Sequence, residues 1–221
     1  METTLHQQLK RCYAGEAANT EVTLGRYRID AVRDDELIEI QCASLSAIRE
    51  KSRQLLRRHR LRIVKPVIAR TRITKISKPG AQPTSRRMSP KRGSILDLFD
   101  DLIYFTRIFP HPNLVIEVPM IHVEQFRVPA TKRRRRWSKD YHVHDVQLEK
   151  IDVTHEFHQP GDLLRLLDLP PGTDFNTADL AATIDRPRWV AQKIAYVLRQ
   201  IGAIKTSGRT RAGIHYACKA A

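Results

Sequence analysis

Two tight turns near the N-terminus constrain the fold of this 221-residue chain more than any other feature of its sequence. They separate three short runs of strand-like composition, residues 21–24, 27–32 and 36–41. A glycine at the first position of a two-residue loop favours a type II′ turn. Gly25 and Arg26 should therefore close a hairpin in which Leu24 lies opposite Tyr27.

The second turn extends the same register to a third strand. A two- or four-residue loop centred on the Asp-Asp pair at 34–35 sets Val32 opposite Leu37. Counting outward from both turns brings three carboxylates into one line across the strands: Glu21, Asp30 and Glu39. Because side chains alternate along a strand, Gln41 shares the face of Glu39.

The opposite face of these strands is wholly apolar. It carries Ile29, Ala31, Ile38 and Ile40. We expect a helix to pack on this face, and a slip of one residue would bury the acids instead, so the pattern fixes the register. The same register sets Gln41 opposite Arg28.

The row of acids needs a balancing charge, because like charges directly opposite one another destabilise a sheet. A divalent cation supplies one, since carboxylate oxygens are ligands that Mg²⁺ and Mn²⁺ prefer. Such an ion would also lower the pKa of an attacking water and stabilise charge on a phosphodiester. The alternative is a solvated hydrophilic face neutralised by Arg26, Arg28 and Thr23.

Helices and a further strand flank the three strands. An apolar stripe at helical spacing over residues 3–14 predicts a first helix, with a threonine N-cap at position 3 or 4. Residues 44–59 form a basic amphipathic pattern, and residues 61–67 have the composition of a strand. The predicted order is therefore α-β-β-β-α-β.

This order and two short motifs resemble the core of the PD-(D/E)XK nucleases, the restriction-endonuclease-like superfamily. The motifs are Arg-Ile-Asp-Ala-Val at 28–32 and Glu-Leu-Ile-Glu-Ile-Gln at 36–41, and the resemblance covers residues 3–70. It implies a mixed-sheet α/β core in which acids on the second and third strands hold Mg²⁺ or Mn²⁺. The implied activity is hydrolysis of DNA phosphodiester bonds.

The resemblance assigns metal-binding roles to individual acids. Asp30 matches the first acid of the family motif and Glu39 matches the second. Glu21, or alternatively Glu16, would supply the additional acid often found upstream. The implied metal ligands are Glu21, Asp30 and Glu39.

The chain departs from the family at one position. Gln41 stands where the family has a lysine, and a glutamine supplies no positive charge. Lys51 or Lys65 could take its place from a neighbouring element. The implied catalytic residues are Asp30, Glu39, Gln41 and Lys65.

The middle of the chain has the pattern of a linker followed by a second structured stretch. Residues 77–93 combine prolines and glycines with basic residues, which is typical of a mobile linker or a long loop. Residues 94–109 are apolar at helical spacing, and residues 114–128 alternate as one long or two short strands. The basic run at 131–139 is either a solvated hairpin tip or a phosphate contact made by Arg133, Arg134, Arg135 and Arg136.

Residues 159–221 are predicted to form a separate C-terminal module. Thr177 is a suitable N-cap for a helix that continues through Ala182. Pro187 suits the first position of a longer helix, and Gly202 is well placed to end it.

Two short strands then flank the basic segment 207–211. With a first helix at 161–167, this order resembles a winged helix-turn-helix, in which one helix enters the DNA major groove and the wing contacts the backbone. The DNA contacts that we predict are Arg28, Arg186, Arg188, Gln192, Lys193, Arg209 and Arg211, together with the four arginines at 133–136. Winged helices also dock proteins, so that alternative stays open, and we expect Trp189 to be a packing residue.

Composition limits the class of partner and the compartment. The chain has 39 Lys and Arg against 24 Asp and Glu, a net charge of +15 that should attract nucleic acid in a salt-dependent manner. Three scattered cysteines argue against a disulfide framework or a cysteine zinc site. Without a membrane-length apolar run or a signal-peptide pattern, we expect a cytoplasmic protein with no membrane partner.

Three functional hypotheses follow. The first is Mg²⁺- or Mn²⁺-dependent hydrolysis of DNA, with the winged helix gripping the substrate. The second is a DNA-binding protein without catalytic activity that keeps a nuclease-like fold as a scaffold. The third is a protein- or RNA-docking module. The oligomeric state stays open, a homodimer included.

Overall fold

The computed structural model describes residues 3–14, 20–130, 140–169, 172–211 and 213–218. The chain forms two compact units, one of residues 1–42, 64–95 and 118–155 and the other of residues 43–63, 96–117 and 156–221. The sequence predicts four contiguous segments, a nuclease-like core at 1–76, a linker or loop at 77–93, an extension of the core at 94–158 and a C-terminal module at 159–221, and these do not coincide with the two units. Each unit gathers three separate stretches, because packing between distant segments groups them and local composition does not report such packing.

The first elements follow the predicted order. They are α1 (Thr4–Ala14), β1 (Thr20–Leu24), β2 (Tyr27–Arg33), β3 (Glu36–Ile40), α2 (Arg49–Leu55) and β4 (Arg60–Val64). Thr3 caps α1, since its Oγ1 accepts the N–H of His6 at 3.3 Å. The helix expected at 44–59 is shorter than predicted, with a 3-10 turn over Leu45–Ile48 in front of α2.

Both predicted hairpins have the predicted register. Leu24 pairs with Tyr27 in the first hairpin, and Val32 pairs with Leu37 in the second. Gly25 has a φ of 59°, the left-handed conformation that its turn requires. The second loop has two residues rather than four.

The strands form a mixed sheet. Its further strands are β5 (Val67–Ile76), β6 (Pro83–Met88), β7 (Leu114–Pro129) and β8 (Tyr141–Phe157). Seven strands lie in the order β1-β2-β3-β4-β7-β5-β6, and β8 pairs with β7. β5 and β7 are parallel, whereas the hairpins are antiparallel. The single strand expected at 61–67 is therefore divided between β4 and β5.

The linker prediction for residues 77–93 is wrong for residues 83–88. These residues form β6, which pairs with β5 from Arg72 opposite Met88 to Ile76 opposite Pro83. All six residues of β6 are exposed, so the strand lacks the apolar alternation that would have identified it. Proline is tolerated at the first residue of an edge strand, where its missing N–H costs no ladder hydrogen bond.

The second structured stretch is only partly helical. A 3-10 turn over Ile95–Leu98 leads into α3 (Phe99–Leu102), so the helix predicted over 94–109 is much shorter than expected. The alternating residues that follow form one long strand, β7. This is one of the two arrangements predicted for residues 114–128.

The predicted apolar face is buried under α1. Ala31, Ile38 and Ile40 share one core cluster with residues of this helix. Leu9 of α1 is fully buried there, which contributes about 2 kcal/mol to stability. The alternation of apolar and polar residues thus fixes the orientation of the hairpins as predicted.

The C-terminal stretch contains short helices and a small antiparallel sheet. Its elements are α4 (Pro160–Leu164), β9 (Asp174–Asn176), α5 (Thr177–Thr183), α6 (Arg188–Gln200), β10 (Ile204–Thr210) and β11 (Gly213–Cys218). The three strands lie in the order β10-β11-β9. Gly202 has a φ of 81° directly after α6, which it ends as predicted.

The N-cap of α5 differs from the predicted one. Asn176 rather than Thr177 caps this helix, because its side chain accepts the N–H groups of Ala178 and Asp179. Asp179 returns a hydrogen bond to the Asn176 N–H at 2.9 Å, which completes a capping box. Asn and Thr are both common N-caps, so the local sequence did not separate them.

Candidate functional site

A buried lysine lies between two of the predicted metal ligands. The Lys10 ammonium is 3.0 Å from Glu21 Oε1 and 3.6 Å from Asp30 Oδ1. Arg28 forms a second ion pair with Glu21. Two cations of the chain therefore balance these carboxylates. A divalent ion held by both Glu21 and Asp30 would have to displace the Lys10 ammonium, which contacts both of them.

Asp30 is held by α1 and by the backbone of β3. Its Oδ2 accepts the N–H of Ile40 at 2.8 Å and lies 3.3 Å from Nε2 of His6. The same Nε2 is 3.0 Å from the Ile40 carbonyl oxygen, so this nitrogen carries the hydrogen and donates. Thr20 pairs with Ala31 and Val22 with Ile29, which is the register counted from the turn, and Glu21 between them has a left-handed φ of 57°.

These contacts set the ionisation of both carboxyls. Hydrogen bonds from Lys10 and Arg28 lower the pKa of Glu21. Burial raises the pKa of Asp30, but hydrogen bonds from His6 and the Ile40 N–H outweigh it and hold the pKa below its usual value. Both groups are therefore ionised at neutral pH.

The remaining motif residues lie on β3 and directly after it. Glu39 is 5% exposed, and the Gln41 N–H donates to the Val64 carbonyl of β4 at 2.8 Å. Within the part of the chain that the structure describes, no three His, Cys, Asp or Glu side chains are arranged to hold a metal ion. Glu16, the alternative upstream acid, lies outside the described residues. The metal-binding roles of Glu21, Asp30 and Glu39 stay predictions.

Lys65 lies near the same end of β3. Desolvation raises the pKa of the Cys42 thiol to about 11, while the charge of Lys65 lowers it and that of Asp30 raises it. Both charges are therefore within electrostatic range of Cys42. Lys65 itself is only 7% exposed. Lys51, the other candidate for the missing lysine, lies on α2 in the other unit.

The longest C-terminal helix, α6, has one buried and one exposed face. Its buried residues are Ala191, Ile194, Ala195, Val197 and Leu198. The exposed face carries two large aromatic side chains, Trp189 at 60% and Tyr196 at 43% exposure. Gln192 and Arg199 lie on this face as well. The expectation that Trp189 is a packing residue is wrong, because most of its side chain is exposed.

A basic hairpin follows α6. Arg209 and Arg211 are exposed near its tip. Arg188 donates from Nε to Thr177 Oγ1 at 3.2 Å, and its Nη2 lies 3.7 Å from where a Cβ on Gly213 would be. Arg188 therefore lies against both the start of α5 and the hairpin, and it stabilises their arrangement.

Several predicted DNA contacts already have partners within the chain. Lys193 forms an ion pair with Asp100 and lies 4.7 Å from the Trp189 ring centroid. Arg186 donates to the Asp185 carbonyl at 3.0 Å. Arg28 pairs with Glu21 as described above. The arginines Arg133, Arg134, Arg135 and Arg136 lie outside the described residues, so their role stays a prediction.

Sequence reasoning missed two residues of the carboxylate site, His6 and Lys10. Both are one residue away from the apolar stripe of α1, on the side that faces Asp30. They are four positions apart, so they lie on the same side of the helix, one turn apart. Because α1 was expected to pack on the hairpins, that spacing could have predicted that both side chains face the acids.

Fold and site together describe an α/β protein with a mixed sheet, a carboxylate cluster balanced by cations, and a basic helical C-terminal stretch. The chain belongs to the family of the domain of unknown function DUF8091, whose model matches residues 3–158. An uncharacterised protein of Treponema pallidum (strain Nichols) is 30% identical over 183 residues, which span 82% of this chain and 72% of the relative. No solved structure matches the chain.

None of the helices in the described ranges is both long enough and apolar enough to cross a membrane.

Proposed function

We propose that this protein binds DNA through its C-terminal stretch and that the nuclease-like elements of residues 3–70 serve as a scaffold. The observation that carries the proposal is the exposed face of α6, with its aromatic and polar side chains, followed directly by a basic hairpin. The net charge of +15 supports a polyanionic partner.

The order of the C-terminal elements supports a winged-helix interpretation. Helix, short strand, two helices and a two-stranded hairpin occur in that sequence, and the strands lie in the order β10-β11-β9. In a winged helix, the second helix of the turn enters the major groove and the wing contacts the backbone. By this likeness α6 would face the bases, and Arg209 and Arg211 would contact phosphates.

Substitutions on α6 test this proposal. We expect Gln192→Ala to lower the preference of the full chain for its best duplex sequence, because a lost base contact costs about 1–3 kcal/mol of discrimination. Fluorescence anisotropy with a library-selected duplex and a scrambled duplex measures that preference. Gln200→Ala, an exposed glutamine at the end of the same helix, is the matched control.

Equal effects of Gln192→Ala and Gln200→Ala would contradict the placement of α6 against the bases. Tighter binding to RNA than to DNA of the same sequence would instead favour the docking hypothesis.

Metal-dependent hydrolysis of DNA is the second candidate function. The α-β-β-β-α-β order favours it, as does the presence of Asp30 and Lys65 near the same end of β3. The contacts of Lys10 weigh against it, because they balance the acids without a metal ion. For these reasons the scaffold hypothesis is the better supported of the two.

A cleavage assay separates the two candidates. Under the scaffold hypothesis, the full chain with Mg²⁺ or Mn²⁺ leaves linear, nicked, branched and single-stranded DNA intact while it binds them. Cleavage that depends on the metal and disappears in Glu39→Gln would establish the hydrolase instead. Glu36→Gln, a buried glutamate on the same strand, controls for effects on folding.

A further inference from the structure

A basic pocket of about 220 Å³ lies in the second unit. Its residues belong neither to the carboxylate cluster nor to α6. It is lined by Arg53, Leu56, Arg57, Arg107, Ile108 and His111. Leu56 and Ile108 are buried and supply apolar surface, whereas the three arginines are exposed. Three arginines and a histidine therefore line one concave surface.

The positive charge of this pocket is only partly balanced. Glu50 accepts a hydrogen bond from Arg53 Nη1 at 2.8 Å and neutralises that guanidinium. Arg57 and Arg107 have no ion pair with any carboxylate of the described ranges. Like charges in a concave site repel one another, and an anion bound there would relieve that repulsion.

The imidazole adds a directed donor. The Asn113 N–H donates to His111 Nδ1 at 3.1 Å, which makes this nitrogen an acceptor. In the neutral ring the hydrogen is therefore on Nε2. His111 lines the pocket, and with Nδ1 accepting from Asn113 its ring offers an N–H donor at Nε2.

We propose that this pocket binds a phosphomonoester group. A phosphomonoester carries a charge of about −1.5 to −2 at neutral pH, which matches the two unbalanced guanidinium groups better than the single charge of a phosphodiester. Guanidinium groups also bind phosphate oxygens in bidentate fashion. The volume is below the range of about 300–1,000 Å³ typical of drug-sized ligands, so it fits a phosphate and the adjoining part of the molecule that carries it.

Inorganic phosphate is the first probe. We expect it to raise the Tm of the full chain by about 5 °C above the Tm in NaCl of equal ionic strength, because a ligand that binds only the folded state stabilises it. The double variant Arg57→Gln/Arg107→Gln should lose this rise and keep the Tm of the wild type in NaCl, since both side chains are exposed.

The matched control is Arg49→Gln/Arg58→Gln, which removes two exposed arginines of the same region that do not line the pocket. It should respond to phosphate as the wild type does. An equal rise in all three proteins, or no rise in the wild type at phosphate concentrations up to about 50 mM, would overturn the proposal.

The source of the phosphate is tested by competition. A nucleoside monophosphate and a 5′-phosphorylated oligonucleotide both carry the group, whereas a 5′-hydroxyl oligonucleotide does not. Displacement of phosphate by the monophosphate alone indicates a free small molecule, and displacement by the phosphorylated strand indicates a nucleic-acid end. Either result supports the pocket, while equal displacement by the 5′-hydroxyl strand contradicts recognition of a monoester.

Discussion

Replacing Lys10 with methionine is expected to lower the free energy of unfolding at neutral pH by about 2–3 kcal/mol. Lys10 is 7% exposed and its ammonium contacts two carboxylates, so the variant leaves two acids close together without their shared cation. Removal of one partner from a buried ion pair costs about 3–5 kcal/mol, and the partial exposure of Glu21 reduces that figure. Urea unfolding followed by circular dichroism measures the loss.

The effect of Lys10→Met should depend on pH in one direction. The pKa values of Glu21 and Asp30 are both lower in the folded chain than their usual values, and Lys10 contributes to both shifts, most to that of Glu21, so the ionised groups stabilise the fold above a pH of about 4. That contribution is lost as the pH falls through the lowered folded pKa values. The difference in stability between wild type and variant should therefore shrink below about pH 4. A difference that stays constant to pH 2 would contradict this account.

Two further variants separate charge balance from packing. Lys10→Met/Asp30→Asn should be more stable than Lys10→Met alone, because the second change removes one of the unbalanced acids. Lys78→Met, which replaces an exposed lysine of the same unit, should leave the free energy of unfolding within about 0.5 kcal/mol of the wild type.

The hairpins were predictable because their signals are local. Gly25 specifies the first turn, and the apolar residues of β2 and β3 fix which face packs on α1. Leu24 therefore lies opposite Tyr27 and Val32 opposite Leu37, as counted from the turns. Hydrophobic alternation and turn chemistry act over a few residues, so one sequence suffices to show them.

The neutralisation of the acids was harder to predict because it depends on a helix from elsewhere in the chain. The register counted from the turns predicts Glu21 opposite Asp30, yet the cation that contacts both comes from α1. The sequences of the strands do not distinguish a row of acids that binds a metal from a row of acids that is neutralised by a buried lysine. Only the packing of α1 distinguishes the two cases.

Long-range partners also explain the corrections in the C-terminal stretch. Lys193, a predicted DNA contact, has a partner within the chain, Asp100, which is 93 positions away in sequence. Trp189 was expected to be a packing residue, whereas other α6 residues fill the buried face. The spacing of apolar residues predicted the helix. Which of the side chains beside its apolar stripe are exposed depends on the elements that pack against the helix.

Charge reversal at the hairpin tip is expected to give the largest change in DNA affinity. Arg209→Glu/Arg211→Glu should weaken binding to duplex DNA about 10- to 100-fold at 100 mM salt and lower the slope of log K against log salt by about 2. The physical reason is that each phosphate contact releases counterions, and the double variant removes two such contacts. Fluorescence anisotropy at several salt concentrations gives both values.

A change in net charge alone would also weaken binding, so the control must carry the same charge. Lys78→Glu/Lys91→Glu reverses two exposed lysines of the first unit and gives the identical net charge. If the hairpin contacts phosphates directly, this control reduces affinity far less and keeps the salt slope of the wild type. Equal losses in the two variants would show that the overall field attracts DNA without the hairpin touching it, and the assignment of Arg209 and Arg211 would then fail.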